Sequence, residues 1–261
     1  MRSAILLLGL SFGLVVQGAA QLDAPNARGV TMGHVHLYTR DAEAQEKFWA
    51  GALDAQETKL GDLQVFKLPG VLVLVQRADA RAGTEGSIIN HLGVKVHDLS
   101  ATLAKLESAR IPIITRTPPQ AMVLAPDDIR VELTEDPAIS EPTIFHHIHF
   151  YVTDVDAMQK WYAATFGAIP GKRGKFEAAD LPGVNLTFTS FADAQAPTKG
   201  RALDHIGFEI RDLEAFTKKL EASGVKFDVP YRKIPALGIS LAFLTDPWGT
   251  YIELTEGLNK L

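Results

Sequence analysis

Four stretches of this chain each open on a histidine, alternate along their length and close on an aspartate. They are His34–Asp41, His91–Asp98, His147–Asp154 and His205–Asp212. In a strand, side chains at i, i+2 and i+4 share one face, so each opening His holds the same place on its strand. Two glutamates recur in a matching way, in Val131-Glu132-Leu133-Thr134 and Ile252-Glu253-Leu254-Thr255. Two His and one carboxylate brought together from three strands make a facial ligand triad for a divalent cation, with coordination positions left open for chemistry. A lone His on an apolar strand is more often packing than ligand. Six residues of these types at repeating positions favour at least one metal site.

The rest of the chain must position these groups. His34 maps onto His147 at one offset, which also carries Leu68-Pro69-Gly70-Val71 onto Leu181-Pro182-Gly183-Val184 and Phe48-Trp49 onto Trp161-Tyr162. His91 maps onto His205 at nearly the same spacing, so residues 30–135 are expected to be duplicated as 145–256. The polar, proline-punctuated residues 136–144 read as the linker. Each half divides again: a His-bearing strand ends at an Asp able to cap the next helix. That helix is amphipathic, as in Leu99, Leu103 and Leu106 or Leu213, Phe216 and Leu220. Three further apolar segments follow. The reading is α+β, a βαβββ module used four times.

Composition bounds the function. With 261 residues, 46% of them hydrophobic, the chain can bury one large or two medium cores. Its net charge is -5 and its Lys and Arg are scattered, which argues against nucleic acid as a partner. The absence of Cys rules out disulfides and thiolate ligands. Arg2, the apolar run Ala4–Val16 and the small residues Gly18-Ala19-Ala20 read as a signal peptide, residues 1–20, cleaved after Ala20. Export to a periplasm or beyond is expected, with no stable membrane insertion afterwards.

With these motifs in view, the chain resembles the vicinal oxygen chelate superfamily, which holds glyoxalase I, bleomycin-resistance proteins and extradiol dioxygenases. The most specific piece is Asp246-Pro247-Trp248-Gly249-Thr250-Tyr251-Ile252-Glu253, similar to the family's terminal Asp-Pro-x-Gly-x-x-x-Glu pattern. The resemblance implies paired modules curled into open β-barrels around a divalent metal, with the helices outside. It also implies a ligand set of one His from an odd module with the His and Glu of an even one. Grouped by halves, the sets are His34, His91 and Glu132, then His147, His205 and Glu253. The second is favoured, because Ala125-Pro126-Asp127-Asp128 stands in place of an intact turn in the first half. Which modules pair in space, and whether both sets bind, is open at this level. Fe2+, Mn2+, Zn2+ or Ni2+ are the expected ions, one per functional site.

Two residues beyond the ligand His stand His36 and His149, with Tyr38 and Tyr151 two beyond those. His149 and Tyr151 are the candidate catalytic pair for proton transfer or substrate orientation. The alternative is that His149 braces a ligand and Tyr151 fills the barrel. Gly93 and Gly207 read as space left for a bound ligand, and Arg130 and Tyr251 are expected to face the same pocket. Departures from the family narrow the activity. The odd modules end in Val71–Gln76 and Val184–Thr189 without the further Glu of glyoxalase I, and Phe243 stands where extradiol dioxygenases have Tyr. The resulting expectation is a metal-dependent lyase, isomerase or dioxygenase-like enzyme for a small substrate that chelates through vicinal oxygens. The substrate is the only partner expected, and the chain is a monomer or homodimer. The alternative is a periplasmic binding or sequestering protein with a non-catalytic metal site.

Overall fold

A computed structural model describes residues 22–261; the expected signal peptide lies outside them. Four successive units share one order of elements. The first comprises β1 (Val30–Thr39), α1 (Ala42–Glu46, continued by a π-helical turn), β2 (Gln56–Leu60), β3 (Leu63–Leu68) and β4 (Val71–Arg77). The second comprises β5 (Ile89–Val96), α2 (Leu99–Ser108), β6 (Ile113–Thr117), β7 (Gln120–Ala125) and β8 (Ile129–Glu135). The third comprises β9 (Thr143–Val152), α3 (Val155–Phe166), β10 (Ile169–Arg173), β11 (Phe176–Leu181) and β12 (Val184–Ser190). The fourth comprises β13 (Leu203–Ile210), α4 (Leu213–Ala222), β14 (Val229–Ile234), β15 (Ile239–Thr245) and β16 (Tyr251–Glu256). No helix among the described residues is long and apolar enough to cross a membrane.

Each helix begins where a strand-ending aspartate turns the chain. The carboxylates of Asp41, Asp98, Asp154 and Asp212 accept from the backbone N–H three residues on, at 2.8–3.1 Å, which satisfies a donor that the helix cannot. At its other end α3 stops on Gly167 in the left-handed region, at φ 73°, where a Cβ would be strained.

The strands form two open, mixed, eight-stranded sheets, ordered β14-β15-β16-β13-β1-β4-β3-β2 and β10-β11-β12-β9-β5-β8-β7-β6. Units therefore pair one with four and two with three. The linker explains why: Asp136 N–H donates to Val96 O and His97 N–H to Pro142 O, each at 2.9 Å. This short return lays β9 antiparallel beside β5. Unit one is left with unit four, and β1 lies antiparallel to β13.

Strand alternation separates two faces. Along β1, Val35 and Leu37 pair with Val73 and Val75 of β4 and enter the main apolar core, which also holds Trp49, Phe150, Tyr162, Phe166 and Phe208. His34 and His36 pair with Leu72 and Leu74 on the opposite, concave face. The equivalent row of the second sheet differs in kind. There His147 and His149 pair with Asn185 and Thr187 of β12.

A buried cross-link joins unit three to the turn before β16. Tyr162 Oη donates to Asp246 Oδ2 at 3.0 Å, and Asp246 Oδ1 accepts from the N–H groups of Trp248 and Thr250 at 2.9 and 2.7 Å. Cutting Asp246 to Ala strands three donors, two of them buried. Urea unfolding of Asp246→Ala should show a loss of about 3 kcal/mol, against about 1 kcal/mol for Tyr162→Phe, which removes one neutral donor.

Candidate metal centre

Register alone assembles the first cluster. In the sheet of units one and four, Gly207 pairs with His34 on one side and with Glu253 on the other. These three residues thus lie in one row across β1, β13 and β16. His205, two residues before Gly207, pairs with His36 and shares their face. The side chains converge: Glu253 Oε2 lies 2.9 Å from His34 Nε2 and 3.1 Å from His205 Nε2. The second sheet repeats the row with Glu132, Gly93 and His147, and pairs His91 with His149.

The triads are therefore His34, His205 and Glu253 in one sheet, and His147, His91 and Glu132 in the other. The grouping by halves of the chain is corrected on this point. It assumed that consecutive units pair within each half, whereas the linker pairs units two and three. The intact Asp-Pro-x-Gly turn serves a cluster whose odd-unit His comes from the first half.

The two glycines also need a different explanation from space for a bound ligand. A Cβ on Gly207 would overlap the His34 ring, and one on Gly93 would overlap the His147 ring. The missing side chain is the hole into which the neighbouring imidazole folds.

Two further groups carry a signal that the repeat analysis passed over. The register of β1 on β13 jumps from His36↔His205 to Leu37↔Leu203. Asp204 is thus the extra residue of a bulge, turned toward its neighbour. Its Oδ1 accepts from His205 Nδ1 at 2.7 Å, which turns Nε2 toward Glu253. Asn90 makes the same move beside His91, at 2.9 Å, from the matching bulge in β5. Two adjacent polar residues in an apolar strand, Asp204-His205 and Asn90-His91, were the visible trace.

Electrostatics favour a cation at the first cluster. Burial alone would raise the Glu253 carboxyl, but hydrogen bonds from His205 and His34 outweigh it and hold the group well below the usual carboxylate range. Burial opposes the charging of His205, yet Asp204 and Glu253 lift its pKa above the ordinary value. His34 Nδ1 is buried with no hydrogen-bond partner among the described residues. Ligand atoms of His34, His36, His205 and Glu253 all lie within 4.8 Å of one another. A carboxylate shared by two imidazoles beside an unpartnered ring nitrogen is a donor set that a divalent ion fits.

A cavity of about 470 Å³ opens onto this cluster, with His36, Tyr38, Leu60, Leu74, Phe243 and Tyr251 in its lining. Tyr251 faces it as expected, stacked on Phe243 with centroids 4.9 Å apart and with Lys199 Nζ 4.1 Å from its ring centre. Arg130 pairs with Glu85 at 2.9 Å and acts electrostatically on His91 of the second cluster. Burial foremost, then His205 and His34, depresses His36 to about 3. It is neutral at ordinary pH, with Nε2 3.2 Å from Gln76 Oε1.

The second cluster is closed. His149 Nδ1 lies 3.2 Å from His91 Nε2, and its Nε2 lies 2.8 Å from Thr189 Oγ1. Tyr151 stacks on Phe191 at 5.4 Å. Glu132 stands back, 3.7 Å from both His91 Nε2 and His147 Nε2. The Arg173 guanidinium lies between them, 3.2 Å from His147 Nε2 and 3.6 Å from Glu132 Oε1.

Two outcomes follow for the metal-free protein. Gly207→Ala overpacks the His34 ring and should lower stability by about 2 kcal/mol; in the double variant with His34→Ala most of that loss should vanish, read by denaturant unfolding. Burial foremost also lowers His146 and His149, each to about 4. With His36 they bind fewer protons folded than unfolded, so stability is full above the ordinary 6.5 and declines as pH falls toward 4. The urea midpoint should therefore drop between pH 7.5 and pH 5, the raised His205 opposing this only in part.

Comparison with known proteins agrees with this architecture. Residues 144–254 match the model of the Glyoxalase/Bleomycin resistance protein/Dioxygenase superfamily. The fold is similar to that of glyoxalase I from Zea mays, with a TM-score of 0.68 at 16% identity over 88% of this chain and 94% of that one. It is also similar to a putative dioxygenase from Bacillus subtilis, with a TM-score of 0.65 at 14% identity over 91% of this chain and 86% of the other. No curated protein matches the chain. The family match thus lies in the second half of the chain, residues 144–254, and the fold of the whole chain is similar to that of glyoxalase I.

Proposed function

We propose that this chain is a divalent-metal-dependent enzyme whose active centre is the first cluster. The observation that carries the reading is a buried His34–Glu253–His205 triad at the floor of an apolar cavity. His34, His205 and Glu253 hold the ion. An imidazole and carboxylate set suits Fe2+, Mn2+, Zn2+ or Ni2+. When bound, such an ion supplies Lewis acidity toward two adjacent oxygens of a small substrate. That chemistry belongs to a lyase, an isomerase or a dioxygenase-like enzyme.

The chain's own groups supply the rest. The Asp204 carboxylate fixes the His205 ring and its tautomer, as a carboxylate behind a ligating His generally does. His36 donates Nε2–H to Gln76, which leaves Nδ1 as a neutral acceptor beside the triad. A neutral imidazole in that position is a candidate to take up a substrate proton. The proton-transfer and orienting roles considered for His149 and Tyr151 fall to their counterparts His36 and Tyr38, because the first pair is enclosed with Arg173 and the second lines the cavity. Leu60, Leu63, Leu74 and Leu241 admit a compact apolar body and keep water off the reacting end.

The test is elemental analysis of protein prepared without chelator, compared with Glu253→Gln and Glu132→Gln. One ion per chain, lost in Glu253→Gln and kept in Glu132→Gln, is expected. No ion after reconstitution with any of the four metals would overturn the reading. His36→Gln should then keep its metal and lose about 100-fold or more in kcat on a chelating hydroxyketone or diol. Tight binding of such compounds without turnover would mark a sequestering protein instead.

A further inference from the structure

The second cluster has the ligand types and the register of a metal site, with ligand atoms of His91, His147 and His149 within 4.8 Å of one another, but an arginine reaches into it. Arg173 ends β10 as Leu60 ends β2: Leu60 pairs with Leu63 across its hairpin, and Arg173 pairs with Phe176. The two residues are thus equivalents in related units, one an apolar wall of the open cavity and the other a cation reaching into the closed cluster. The arginine is held there. Its Nε donates to Thr187 Oγ1 at 2.8 Å, and Thr187 stands where the first sheet has Leu74. Its Nη2 lies 3.2 Å from His147 Nε2 and its Nη1 is 3.6 Å from Glu132 Oε1.

We propose that Arg173 is a tethered cation that takes the place of a metal ion in the second cluster and locks a latent metal site. Three physical effects act together. The guanidinium N–H occupies the lone pair of His147 Nε2 that a metal would need. Its charge already balances Glu132, so an incoming dication meets repulsion rather than a free carboxylate. Its bulk holds Glu132 at 3.7 Å from both imidazoles, where Glu253 sits at 2.9 and 3.1 Å from its own pair. An arginine suits this position because it stays charged even when half-buried.

The experiment is Zn2+ binding to Arg173→Leu, which installs the residue found at the equivalent position 60, alone and combined with Glu253→Gln. Calorimetry and metal analysis should read two ions per chain in the single variant and one in the double variant, against one and none in the corresponding proteins that keep Arg173. The double variant makes this independent of the proposed function: a failure at the first cluster leaves the gain at the second still measurable. Arg173→Lys, which keeps the charge, should gain no ion. A folded Arg173→Leu protein that binds no additional Zn2+, Mn2+ or Co2+ would overturn the proposal. If the variant does not fold, nitrogen spectra of the histidines in the unaltered protein decide. One equivalent of Zn2+ should leave His91 and His147 unmoved; movement of their ring nitrogens on Zn2+ binding would refute the lock.

Discussion

The antiparallel junction at the middle of each sheet is the constraint on which the rest depends. A strand has a side-chain period of two, so a slip of one residue between β1 and β13 would send His34 and His36 to the helical side. Register is held because Val35 and Leu37 of β1 belong to the fully buried core, as do Ile206 and Phe208 of β13. The same apolar packing that stabilises the fold thereby sets the distance between imidazole and carboxylate. Site geometry is inherited from core geometry. Gly207 and Gly93 complete the device, because two strands at sheet spacing leave no space for an imidazole over a neighbouring side chain.

Much of this was legible locally. The four capping aspartates, the alternation of His34 with Leu37 or His147 with Phe150, and the turn before Glu253 each depend on a few consecutive residues. Those features are present in the structure. The partnership between units was not legible, because cross-strand register is a non-local property decided by the path of residues 136–142. Asp204 escaped notice for a related reason. Strict alternation places the residue before a His on the opposite face, and only the bulge brings it round. Arg173 ends an exposed-looking hairpin strand, and nothing in its immediate neighbours marks it as the cation between His147 and Glu132.

The two clusters show how one scaffold can be biased toward different states by a few side chains. Leu72 and Leu74 of the first sheet correspond to Asn185 and Thr187 of the second. Leu74 of the apolar pair lines the largely apolar cavity, where charge interactions strengthen. The polar pair offers hydrogen bonds that recruit a side chain from within the protein. Behind the even-unit His, Asp204 is replaced by Asn90. A carboxylate there raises the basicity of the imidazole, while an amide orients the ring with less electrostatic help. Burial foremost, followed by His149 and Arg173, keeps His91 well below its ordinary value, whereas His205 is raised.

The crossed pairing of units has an evolutionary consequence. Had the same sheets been assembled from two copies of a two-unit chain, symmetry would oblige both sites to be identical, since every substitution would fall twice. Carrying all four units on one polypeptide removes that obligation. A leucine can be kept at position 60 while its counterpart becomes arginine at 173. One site is thereby released from selection for binding, and the other is released from having to share its substitutions.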